Sequence, residues 1–329
     1  MYAWRSLAVA LLVAVSACFA ASPASASVGS LSEFVLPASQ SVPEGITMGP
    51  DGALWFTEYG ANSIGRITPG GKITTYPLPT FDANPQSITV GPDGALWFTE
   101  WYANKIGRIT TSGSIREFSL PTCGSCPGGK RLGPYGIAKG PDGALWFTAN
   151  FGSAIGRITT SGAVTVYPLP NRACCTHAYP LGITRGPDGA LWFTSQDGIG
   201  RITTSGRMRI FGGSAYANSI TTGPDGALWF TSSYDDHVDR ITTAGKFTLH
   251  PVDNGCYPQG IAAISRHLWF ACGGLDQLVP MTTTGGFTRL RLPLRSPYGD
   301  FPFGVTRGPD KAVWFTEQDV NRIGSITTN

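Results

Sequence analysis

Four carboxylates sit where they could do chemistry. Glu58, Glu100 and Glu317 each close an apolar run reading Trp-Phe-Thr-Glu, and Glu44 follows a proline. Tyr59, Trp101 and Gln318 come directly after the first three. In further copies of the same unit, Gln86, Tyr135, Leu181, Asn218, Gln259 and Phe303 stand where Glu44 does. Aromatic walls with a few convergent polar groups are what small-molecule sites use, which makes Tyr59, Trp101, Tyr135, Gln259, Phe303 and Gln318 candidate ligand-binding residues. A carboxylate buried in such a wall gains a raised pKa and can act as a general base; Glu317 and Glu44, with His177, are the candidates. Glu58 and Glu100 equally suit a divalent ion, Mg²⁺ or Ca²⁺, since both take oxygen ligands. The competing reading is a solvated rim whose acids serve solubility. No Gly-x-Ser-x-Gly, P-loop or His-Glu-x-x-His motif occurs.

The cysteines carry a second kind of chemistry. Beyond Cys18, six remain: Cys123, Cys126, Cys174, Cys175, Cys256 and Cys272. An even number in an exported protein reads as disulfides. Cys256 precedes one strand and Cys272 ends the next; antiparallel pairing there sets Pro258 beside Cys272, so Cys256 and Cys272 are expected to bond. The Cys-x-x-Cys at Cys123 and Cys126 and the vicinal Cys174 and Cys175 fall in neighbouring insertions. Cross-links between those insertions would stiffen a lid; a metal site of four thiolates is the alternative.

The elements that position these groups are written repeatedly. Gly-Pro-Asp-Gly-Ala-Leu-Trp-Phe-Thr opens at Gly49, Gly91, Gly140, Gly186 and Gly223, with altered copies near Trp269 and Trp314. The tryptophans of these seven copies recur every 37 to 49 residues, the period of four-stranded propeller blades. A short strand A leads into the Gly-Pro-Asp-Gly turn. Strand B is the buried Leu-Trp-Phe-Thr run, strand C is Ile-Gly-Arg-Ile, and strand D, with Pro77 or Pro168, must be an outer edge. Asn62, Asn104, Asp197, Asp236, Asp276 and Asn321 read as turn caps in the B–C loops. The chain opens on a D-like strand at 33–37 and stops on a C strand, so its beginning should complete the seventh blade. The fold class is all-β, a seven-bladed propeller. The A–B and C–D turns are short and constant, while the B–C and D–A loops vary and gather on one face, where repeat arrays bind.

Composition narrows the partners. The 329 residues carry 14% charged side chains and a net charge of +3 without a basic run, which excludes nucleic acid. Residues 1–26 read as a signal peptide ending in Ala-x-Ala, leaving 27–329 as one domain, secreted or periplasmic. The alternative is a lipid anchor on Cys18. Nothing else is apolar for long enough to span a membrane, and a monomer binding a small molecule or peptide at the central mouth is expected.

The repeated GPDGALWFTE, the IGRITTSG that follows it and the Tyr-x-Leu-Pro of strand D resemble the streptogramin B lyases, the virginiamycin B lyase family. The resemblance covers residues 32–329. It implies a seven-bladed propeller that opens the lactone of cyclic depsipeptides by elimination, with a divalent metal and His and Glu residues at the mouth. The family's histidines follow the proline opening strand A in blades six and seven; those positions hold Gln259 and Phe303. The acid two before the second histidine falls at Phe301, beside Asp300, and the glutamate past strand B of blade seven falls at Gln318, beside Glu317. The expected function is therefore a ligand-binding or interaction module on the lyase scaffold. The alternative is an active lyase, or a related lactone-opening enzyme, with relocated residues drawn from Glu317, Glu44, Glu58 and His177.

Overall fold

The computed structural model describes residues 28–124, 126, 131–170, 178–213, 216–297 and 299–328. The signal-peptide segment, His177, Cys174 and Cys175 lie outside them. Among the described residues, twenty-eight strands form seven four-stranded antiparallel sheets. Blade one runs A (Pro43–Met48), B (Leu54–Glu58), C (Ser63–Ile67) and D (Ile73–Pro77), and the other blades repeat that order. The first strand, Val28–Val35, pairs along Arg322–Thr328 and supplies strand D of blade seven. The ring thus closes as the sequence implied, on a strand that starts five residues earlier than expected.

The repeated nine residues fold into one hydrogen-bonded unit. Asp51 accepts from Trp55 Nε1 at 3.0 Å and from Arg66 Nε at 2.7 Å, tying turn, strand B and strand C together. Burial works against the charge, but those two bonds hold Asp51 below the usual carboxylate range. Asp93, Asp142, Asp188 and Asp225 repeat both bonds. The unit has no room at its first glycine, where a Cβ on Gly49 would run into the Trp55 indole.

No blade buries its faces alone. Trp55 and Ile64 of blade one pack with Leu96, Phe98 and Ile109 of blade two, and similar clusters fill the other seams. Polar clips cross the same seams. Thr57 Oγ1 accepts from the Gly45 amide and donates to the Gln86 carbonyl of the next blade, both at 2.9 Å. Thr99, Thr148, Thr194, Thr231 and Thr316 do the same. Blade six has Ala271 there, so the seam to blade seven lacks this clip.

The B–C loop residues do more than cap turns. Asn62, Asn104, Asp236, Asp276 and Asn321 sit in the left-handed region, and each accepts from a backbone amide of the next blade's D–A segment. In blade four the left-handed residue is Gly198, not Asp197. Cys256 bonds to Cys272, with Pro258 opposite Cys272 as the register required. Cys123 bonds to Cys126 inside its own insertion, so that pair does not tie two loops together.

Candidate functional site

The seven A strands surround a channel of about 180 Å³. It is built in layers. Glu44, Gln86, Tyr135, Leu181, Asn218 and Phe303 form the first; Gly and Ser residues form the second; six isoleucines and Val305 close the third. The glycines and serines are small because adjacent A strands touch there: a Cβ on Gly45 would lie 2.6 Å from the Gln86 carbonyl. Pairing of A with B slips between Pro43 and Ile46, and likewise in blades two, three, five, six and seven. A bulge of this kind re-aims a side chain, and here it turns residue 44 and its counterparts in blades two, three, five and seven into the channel.

Glu44 is the one carboxylate in the channel lining, and that lining holds no Lys, Arg or His. Burial pushes its pKa up to about 8, so it is mostly protonated at neutral pH. Tyr135 is pushed up as well, first by burial and then by the nearby Glu44 and Tyr59, and it keeps its proton. The structure therefore brings Glu44, Tyr135 and Tyr59 together. Gln259 lies just behind the wall, accepting from Asn218 Nδ2 at 2.7 Å and donating to the Tyr257 carbonyl at 3.1 Å.

The other three carboxylates are not at the mouth. Glu58, Glu100 and Glu317 are all fully buried, in three different blade seams. Each lies two residues beyond the strand B phenylalanine, and alternation turns it toward the neighbouring blade as that ring is turned. Gly107 shows this directly, leaving space for both the Phe98 ring and the Glu100 carboxylate. Glu58 accepts from Ser63 at 2.8 Å. Glu100 lies near Glu117 and Lys105, which pair with each other at 2.7 Å. Glu317 lies near Glu33 and Asp300, with Glu33 taking Arg295 and Arg322. Burial, then Glu117, raises Glu100 to about 8; burial, then Glu33 and Asp300, raises Glu317 to about 8. Glu58 and Glu100 share no partner, and among the described residues no three His, Cys, Asp or Glu are gathered to hold a metal.

Trp101 packs against Phe151 with ring centroids 4.9 Å apart and planes tilted by 35°, away from the channel lining. Gln318 donates its amide to the Phe301 carbonyl. His237 faces the buried Asp239 at 3.5 Å, His250 stacks on Trp229, and His267 lies at the start of strand B in blade six. A ring of strained backbone was not read from the sequence. A residue of positive φ precedes the A strand in every blade: Val42, Asn84, Gly133, Tyr216, Tyr257 and Phe301 directly, and Tyr179 four residues ahead of Ile183. Bulky residues there cost about 1–3 kcal/mol each. The recurring X-Pro gave no signal of it, since proline steers the preceding residue toward extended backbone of negative φ.

The virginiamycin B lyase family matches residues 25–178, 130–212 and 173–329. The chain belongs to that family. A streptogramin B lyase structure superposes with a TM-score of 0.83 at 35% identity, over 92% of this chain and 98% of that one. The virginiamycin B lyase of Staphylococcus aureus gives 0.82 at 37% identity, over 91% of this chain and 99% of that one. The same values hold for a catalytically inactive His-to-Ala variant of that lyase with quinupristin.

The family's divalent metal does not fit the residues present. Where the family resemblance puts the histidines and the acid before the second of them, the Phe301 and Phe303 side chains offer no donor atom, and the Gln259 amide is committed to Asn218 and Tyr257. Asp300 is fully buried and accepts from the Arg295 and Ser296 amides.

Proposed function

We propose that this protein is an exported small-molecule-binding propeller built on the virginiamycin B lyase scaffold. The observation that carries the reading is the histidine-free channel lining, with Phe303 in it and Gln259 behind it where the family resemblance puts histidines. The Staphylococcus aureus lyase is inactive with one histidine replaced, yet it was obtained with quinupristin. Binding and ring-opening are therefore separable on this scaffold, and elimination needs a base in reach of the α-proton. The channel holds roughly six waters at about 30 Å³ each. That is space for one group of a larger molecule lying across the mouth, below the roughly 300–1,000 Å³ of a pocket enclosing a whole drug-sized ligand.

One observation favours lyase activity as a second reading. Buried Glu44, near 8, is a stronger base than an ordinary carboxylate once ionised. His177, in an insertion near the mouth by sequence, is the other candidate. The test is incubation of the purified protein with quinupristin and Mg²⁺, following binding by calorimetry and linear product by mass spectrometry. Binding without linearisation is expected. Brisk linearisation overturns the binding-module reading, and Glu44→Gln and His177→Ala then locate the base.

A further inference from the structure

The channel mouth contains a buried acid with no resident cation. Glu44 is 9% exposed and lines the channel, flanked by Phe303 of blade seven and Gln86 of blade two. Tyr135 is close enough for its hydroxyl to feel the Glu44 charge. An anion is disfavoured by Glu44. A bare divalent ion would want about six oxygen ligands, and this layer offers side-chain oxygens only from Glu44, Gln86, Asn218 and the Tyr135 phenol, set among Phe303 and Leu181. A weakly hydrated organic cation is the ion such a wall accepts: ring faces attract it through their quadrupoles, and the carboxylate supplies the counter-charge.

We propose that the channel mouth binds an organic ammonium group, with Glu44 as its counter-ion and Tyr135 and Phe303 as its aromatic wall. The space of about 180 Å³ suits a trimethylammonium or a similar small amine, alone or as a substituent of a larger ligand. Binding ionises Glu44, so one proton is released for each cation taken up at neutral pH. The one other titratable group lining the channel is Tyr135, which burial and then Glu44 push further up, so it keeps its proton. With Glu44 near 8, its ionised fraction rises about tenfold from pH 7 to pH 9, and affinity rises by the same factor.

The experiment titrates the full chain with choline and with its uncharged isostere, 3,3-dimethylbutan-1-ol, by calorimetry at pH 7 and pH 9. Choline should bind at least tenfold more tightly than the alcohol, and about tenfold more tightly at pH 9 than at pH 7. Glu44→Gln should erase the pH dependence and reduce the charge preference to the several-fold part the rings supply; its fold should survive, because Gln86 and Gln259 occupy the matching position in blades two and six. Phe303→Leu should weaken choline several-fold while leaving the alcohol little changed. Equal affinity for the two probes, a charge preference or pH dependence undiminished by Glu44→Gln, or no choline binding at tens of millimolar overturns the proposal. These probes are independent of quinupristin, so failure here and failure of the depsipeptide reading are told apart.

Discussion

Replacing Glu317 by Gln tests whether this carboxyl belongs to a seam or to a reaction. Both its oxygens are buried without a hydrogen-bond partner among the described residues, and burial, then Glu33 and Asp300, raises it from 4.5 to about 8. A carboxyl with a raised folded pKa keeps a proton that the unfolded chain has released. The native state then binds more protons than the unfolded state between pH 4.5 and about 8, so stability falls as pH rises through that window. From pH 5 to pH 9 about three units of the window are crossed, at about 1.4 kcal/mol each, or about 4 kcal/mol. Water entry into the opened seam reduces that figure, and a gain of about 2–4 kcal/mol at pH 9 is expected for Glu317→Gln. At pH 5, where the wild-type side chain is neutral, the two proteins should agree within about 1 kcal/mol. Guanidinium melts of both at pH 5, 7 and 9 read this out. Parallel pH profiles, or a variant weaker at every pH, would mean that Glu317 is ionised and paired with Arg322, and the reasoning fails. Quinupristin binding should be unchanged by the variant.

Other perturbations address other seams. Ala271→Thr should supply the missing clip between blades six and seven and raise stability by about 1 kcal/mol in a thermal melt, one net hydrogen bond's worth. His250 is held below the usual histidine range by burial and then by Arg240, so the unfolded chain takes up its proton first as pH falls below 6.5 and native stability drops. His250→Phe, which keeps the stack on Trp229, should flatten that acid limb in melts at pH 5 and pH 7. Cys256→Ser with Cys272→Ser should cost about 3 kcal/mol, the chain-entropy value for a loop of this size, with the seven blades retained by circular dichroism.

The sequence by itself determined the ring. A nine-residue unit with Trp, Asp and two glycines at set positions can satisfy its own turn but cannot cover its two faces, so copies must stack until the chain meets itself. The D-like opening strand and the C-strand ending then leave one way to close. Register alone also joined Cys256 to Cys272, because a two-strand hairpin is a local object. What only the tertiary structure decided is which acids meet. Glu44 and Glu58 look equivalent in the sequence, both acids at strand ends, one after Pro43 and one before Tyr59. A bulge at Glu44, following a left-handed Val42, turns one into the channel; unbroken alternation through Phe56 turns the other into the seam. Alternation has a period of two and is legible in sequence, whereas a bulge adds one residue to that count wherever neighbouring blades press the A strands together. That pressure comes from residues some forty positions away, such as the Gln86 carbonyl against Gly45.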